Sequence, residues 1–158
     1  MKILKVEANN RRRVFEIHTR KGVYILPFAK VESRPTSKDP IRRLYVDAEL
    51  GREGFAWVLD SGKEGCMHID GVLDYNADPD YMTDQTLYSL SCEAQEQLKA
   101  SGLSAREVAR RLRTSPTQLY RLLDQTNYRK SLKQMLALLW VLGCDVDVRV
   151  KRRRARTA

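Results

Sequence analysis

At 158 residues, 42% of them apolar and 31% charged, the chain has enough material for one compact domain or two small ones with a real core. Cys66, Cys92 and Cys144 are odd in number and lack C-x-x-C spacing, which argues against a disulfide framework or a zinc site, and no apolar run approaches the roughly 20 residues that span a bilayer. The net charge of +9 is uneven, since residues 1–90 hold 14 Lys and Arg against 14 Asp and Glu while residues 91–158 hold 15 against 6. A one-signed excess confined to one segment points to a polyanionic partner, nucleic acid or an anionic membrane.

Met1-Lys-Ile-Leu-Lys-Val is too short and too mixed for a signal peptide, so the expected location is the cytosol. The first seventy residues alternate instead of repeating every three to four. Val14, Ile17 and the run 23–26 flank Arg20-Lys21-Gly22, which reads as a hairpin. A polar loop with two prolines covers residues 33–40. Aromatic and branched residues then cluster in Leu44-Tyr-Val46, Phe55-Ala-Trp-Val-Leu59 and Cys66-Met-His-Ile69, with turns at Asp60-Ser-Gly62 and Glu64-Gly65. Ordinary strand length predicts five or six strands in an antiparallel sheet.

After Asp78-Pro79 the spacing becomes helical. Leu87, Leu90 or Ser91, Ala94 and Leu98 predict a helix from about Pro79 to Ser101, with Gly102 placed to end it. Three helix-start signatures follow: Ser104-Ala-Arg-Glu107, Ser115-Pro-Thr-Gln118 and Ser131-Leu-Lys-Gln134. In each, the Ser hydroxyl can accept the N3 backbone N–H while the Glu or Gln reaches back to the cap's own N–H. Pro116 suits the first helical position. Only Arg113 and Thr114 lie between Leu112, the last apolar residue of the first capped helix, and the next cap. A connection that short predicts the sharp corner of a helix-turn-helix.

On the first capped helix Ala105, Val108, Ala109 and Leu112 form an apolar stripe, and Arg106, Arg110 and Arg111 lie outside it. On the second, Leu119, Leu122 and Leu123 share one arc, and Thr117, Gln118, Arg121 and Gln125 point the other way. Arg can bond guanine bidentately, Gln can do so to adenine, and a Thr methyl can pack on a thymine methyl. The polar loop 124–130 ends in Tyr128, Arg129 and Lys130 just before the cap Ser131. A phosphate could sit at that helix N-terminus with Arg129 and Lys130 beside it. The third helix has Leu132, Met135, Leu136, Leu139 and Leu142 on its inner side and stops at Gly143. Val146, Val148 and Val150 then alternate with charged residues, which predicts a strand, and residues 151–158 form a basic tail expected to be disordered.

In order and spacing these parts resemble the Cro and phage-repressor type of helix-turn-helix, the Xre family, over roughly residues 93–143. The matching features are Val108-Ala109, Leu112 before the turn, Ser115 opening the recognition helix, Leu119 and Leu122 behind it, and the capped helix after the loop. The resemblance implies base contacts from Pro116, Thr117, Gln118 and Arg121, and phosphate contacts from Ser115, Tyr128, Arg129, Lys130 and Ser131. Arg106 joins the phosphate set by charge and position. Where the family usually has Gly in the turn, Arg113 stands here, so either Arg113 adopts a left-handed conformation at some cost or the turn has another shape. The whole chain is also similar to an uncharacterised bacterial family that joins a small α+β domain to such a helix-turn-helix, with residues 122–131 the most distinctive stretch. That similarity implies a bacterial DNA-binding regulator.

The expected organisation is therefore an α+β chain. Residues 1–78 form an antiparallel β-rich domain, residues 79–150 an all-α repressor-type domain with a short C-terminal strand, and residues 151–158 the tail. The expected partner is double-stranded DNA, bound by a homodimer, and a protein partner for the first domain would make the chain antitoxin-like. Catalysis is not expected, nor is a cofactor. Cys66 and His68 share a strand face but lack the third and fourth ligands of a zinc site, no P-loop or glycine fingerprint is present, and the aspartates 70–84 read as helix caps. RNA is disfavoured because no aromatic-lined sheet lies near the positive charge.

Overall fold

The computed structural model describes residues 1–152. The chain divides into two compact units, Met1–Tyr81 and the residues from Met82 onward.

The first unit is built from β1 (Ile3–Asn9), β2 (Val14–Thr19), β3 (Gly22–Pro27), a 3-10 turn at Phe28–Lys30, then β4 (Ile41–Asp47), β5 (Gly54–Leu59), β6 (Glu64–His68) and helix α1 (Ile69–Asn76). Both expected hairpins form, but the six strands make two antiparallel sheets of three, β1-β2-β3 and β4-β5-β6, instead of one.

The two sheets repeat each other. In each, the central strand has the same alternation of buried and half-buried residues. The first strand skips one residue at the same place, between Ile3 and Lys5 in one sheet and between Ile41 and Arg43 in the other. Aligned by these registers, β1 with β4, β2 with β5 and β3 with β6, only Ile3/Ile41 and Phe15/Phe55 keep the same residue. The alternation matches where the letters do not, which is why no repeat is visible in the sequence. The halves diverge after the third strand: Phe28 opens a single 3-10 turn, and its counterpart Ile69 opens a two-turn helix.

The core of this unit is aromatic. Phe15 lies 4.7 Å from Phe28, 5.2 Å from Phe55 and 4.9 Å from Trp57 between ring centroids, and all four are buried. The Trp57 indole N–H donates to the Ser33 carbonyl at 2.8 Å, which satisfies its one polar atom. Opposite Trp57 on β6 stands Gly65, and a Cβ there would lie 2.2 Å from the indole ring. Where the sequence reads a strand end at Ile69, the structure starts α1. Ile69, Val72 and Leu73 bury one face, and the His68 imidazole accepts the Asp70 N–H at 3.3 Å. A helix this short, with Gly71 in its first turn, has too little period to declare itself.

Helix α2 (Pro79–Ala100) starts where the spacing predicts, with Asp78 as its cap: one carboxylate oxygen accepts the Tyr81 N–H at 3.0 Å and the other accepts the Tyr24 hydroxyl at 2.7 Å. In the second unit α2 is followed by α3 (Ala105–Arg111), α4 (Pro116–Leu123) and α5 (Leu132–Val141). Leu87, Ala94, Val108, Ala109, Leu119, Leu122, Met135, Leu138 and Leu139 form their common core. The expected strand after Gly143 is absent among the described residues. Val146 packs on the helical core while Val148 and Val150 are exposed, and alternation without a ladder partner does not make a strand. Most of the basic tail, residues 153–158, lies outside the described residues.

Candidate nucleic-acid interface

The three Ser caps form as the sequence requires. Ser104, Ser115 and Ser131 each accept the N3 backbone N–H at 3.2 Å, from Glu107, Gln118 and Gln134 respectively. Only the third closes in both directions, with Gln134 Oε1 accepting the Ser131 N–H at 3.3 Å. Glu107 turns forward instead, accepting from Arg110 at 2.9 and 2.7 Å and from Arg111 at 2.7 Å. Two cations at i+3 and i+4 outbid one neutral N–H. Their hydrogen bonds, Arg110 first, pull the Glu107 carboxyl down to about 2.

The turn between α3 and α4 settles the alternatives for Arg113. Its φ is 55°, left-handed, while the Arg113 N–H donates to Arg110 O at 3.1 Å and the Thr114 N–H donates to Ala109 O at 2.9 Å. This is the Schellman closure in which Gly is usual. The connection between α3 and α4 closes in this form and bears the left-handed strain on an arginine.

Helix α4 buries Leu119, Leu122 and Leu123 and exposes Pro116, Thr117, Gln118, Tyr120 and Arg121. All four expected base contacts therefore stand in solvent. Tyr120, 60% exposed between Leu119 and Arg121, belongs to the same exposed surface and is assigned to neither side of the helix from the sequence alone. The Arg121 side chain has no acidic partner among the described residues.

The far end of α4 is closed more completely than composition suggests. Its last four carbonyls would otherwise lack partners. Tyr120 O accepts the Asp124 N–H at 2.9 Å, and Arg121 O accepts from Asn127 Nδ2 at 3.0 Å. Leu122 O accepts from Lys130 Nζ at 3.0 Å, and Leu123 O accepts from Gln95 Nε2 of α2 at 2.7 Å. The distinctive polar loop is thus a clamp on the end of α4.

That clamp corrects the expectation for Lys130. Its side chain is 6% exposed, and the ammonium also reaches the Ser91 hydroxyl and, at 2.6 Å, Asp124 O. Burial lowers its pKa, with the Asp124 charge opposing. An ammonium with three protein acceptors, turned inward, offers nothing to a phosphate. Its neighbours do face solvent. Tyr128 and Arg129 are exposed, and so is Arg106 on α3. Ser115 keeps its hydroxyl proton free of any acceptor among the described residues, whereas the Ser131 hydroxyl donates to Gln134 Oε1 at 3.1 Å.

Elsewhere, Cys66 and His68 gain no third ligand: among the described residues no group of three His, Cys, Asp or Glu is placed to hold a metal ion. Nor is any described helix long and apolar enough to cross a membrane. No protein-family model, curated protein or solved structure matches this chain.

Proposed function

We propose that the chain is a DNA-binding regulator of the repressor type, a homodimer that reads duplex DNA with α4 in the major groove and acts by binding, not by catalysis. The observation that carries this reading is the α4 face itself: Pro116, Thr117, Gln118, Tyr120 and Arg121 are exposed together on a helix whose back is buried and whose end carbonyls are all engaged. A helix held so firmly loses little freedom on entering a groove. Arg121 would address guanine, Gln118 adenine, and the Thr117 methyl a thymine methyl. Pro116 would pack at the base edges.

Arg106, Tyr128 and Arg129 would lie on phosphates, and Ser115 would donate its spare hydroxyl proton to one. Ser131 would act through the start of α5, whose dipole favours an anion. The resemblance to Cro and phage repressors supports the same docking, and such a bacterial regulator would work in the cytoplasm. A dimer is supported by α5, where Leu132 is 51% and Trp140 60% exposed, eight residues apart on one face with Leu136 between them. A second copy covering that stripe would set two recognition helices on successive turns of the duplex.

Selection from a random duplex library tests the proposal. A palindromic motif is expected, with half-sites about one helical turn apart, roughly 34 Å. Affinity should fall with salt at a log-log slope of about −0.9 per neutralised phosphate. No enrichment at any salt concentration would overturn it.

A further inference from the structure

The first unit holds a groove of about 950 Å³ that the DNA reading does not use. Arg12, Arg13 and Arg34 line it, and none of its lining residues is Asp or Glu. Its apolar wall includes Phe28, Pro35 and Tyr75. The size falls near the upper end of the roughly 300–1,000 Å³ of small-molecule sites.

The three guanidiniums are unequally occupied. Arg34 donates to Ala29 O at 3.3 Å, and Arg12 lies 3.6 Å from a Glu16 oxygen that already accepts from Asn9 at 2.9 Å. Arg13 has no side-chain partner among the described residues. Yet its backbone is left-handed, φ 54°, and its carbonyl accepts the Phe28 N–H at 2.9 Å. Strain of this kind is held in place only by surrounding structure and gathers at functional sites.

The repeated half of the unit sharpens the contrast. The β4–β5 turn also has a left-handed arginine, Arg52, φ 66°. Its guanidinium is spent on structure, donating to Ile3 O at 3.3 Å and Leu4 O at 3.0 Å. The Arg52 guanidinium ties its turn to the start of β1, whereas that of Arg13, at the matching turn, bonds to no protein group among the described residues and lines a groove.

We propose that this groove binds a small organic anion, with a carboxylate or phosphate group held by Arg13 between Arg12 and Arg34 and an apolar or aromatic body against Phe28, Pro35 and Tyr75. Planar guanidinium forks suit either group, and the apolar wall favours a ligand with an organic body over a bare ion.

The test uses the full chain with 1-anilinonaphthalene-8-sulfonate as a fluorescent probe, displaced in turn by benzoate, phenyl phosphate and inorganic phosphate. Saturable binding is expected, displaced by benzoate or phenyl phosphate far better than by inorganic phosphate. The more potent of the two names the anionic group. Arg13→Gly is the informative variant, because Gly relieves the left-handed backbone and keeps the fold. It should weaken probe binding about tenfold, the loss expected for one charge-assisted contact, while near-ultraviolet circular dichroism of the aromatic core stays unchanged. Arg121→Gln should bind the probe as the parent does. Unaltered binding by Arg13→Gly, an equal loss in Arg121→Gln, or displacement by inorganic phosphate as effective as by phenyl phosphate would each overturn the proposal.

Discussion

The two units differ in how far acids balance their cations, evenly over residues 1–90 and with an excess of nine cations over residues 91–158. In the sheet unit several cations find acids close by, Lys5 with Glu7 at 2.7 Å, the N-terminal ammonium with Glu53 at 3.0 Å, and Lys21 with Asp80, although Arg13 does not. In the helical unit Glu107 is the one acid in an ion pair among the described residues, and it serves Arg110 and Arg111 on α3. Arg106, Arg121 and Arg129 stand exposed without acids. A surface that leaves its cations uncompensated carries a field for an external anion. Lys130 sharpens the contrast from within: next in sequence to Arg129, it is buried and committed to structure.

The contrast can be broken first at its aromatic side. Phe15→Ala removes the ring that touches the other three, and should cost about 3–5 kcal/mol, measured by guanidinium unfolding. A loss under about 1 kcal/mol would mean that the cluster is not the core of the sheet unit. Next comes Lys130→Ala, which orphans the Leu122 and Asp124 carbonyls and should cost about 1–3 kcal/mol of stability. Normal stability with uniformly weaker DNA binding would return Lys130 to the phosphate contacts.

Arg121→Ala should leave stability alone and relax base preference at one position by about 1–3 kcal/mol, read from a repeated library selection. Arg113→Gly should raise the melting temperature, by the equivalent of about 0.5–1 kcal/mol once the flexibility of Gly offsets part of the relieved strain. The smallest effect is that of pH on Glu107. Its folded pKa of about 2 lies below its ordinary 4.5, so the folded state binds that proton more weakly. The stabilisation is complete above the ordinary value and disappears as pH falls through the folded one. Acid titration of Glu107→Gln beside the parent should show the difference narrowing over that window.

Much of the helical unit was legible because its signals are local. A Ser followed three residues later by Glu or Gln marks a helix start wherever it falls, and the 3.6-residue stripe names the buried face of α3 and α4. On α5 that stripe put the exposed Leu132 inside and passed over the buried Leu138. The direction of Lys130 was not legible, since a lysine after an arginine in a polar loop reads as surface charge. Only the fold brings Ser91 and the end of α4 to it. Arg113 was legible as an exception to the pattern but not in its resolution, which needed the backbone angle. In the sheet unit the hairpins could be read from turns, yet the likeness of the two sheets could not, because β-strand pairing constrains polarity at alternate positions and leaves identity free. Helix α1 was lost between a strand ending and a loop.

Closure of α4 by Asn127, Lys130 and Gln95 separates two tasks that many binding elements combine. The groups that aim the rod come from α2 and the following loop and bond its backbone carbonyls, whereas the side chains of Thr117, Gln118 and Arg121 make no hydrogen bond or ion pair to them. Outward positions of that kind can be exchanged without refitting the interior. On the proposed reading, single substitutions there would change the DNA sequence preferred and leave folding intact.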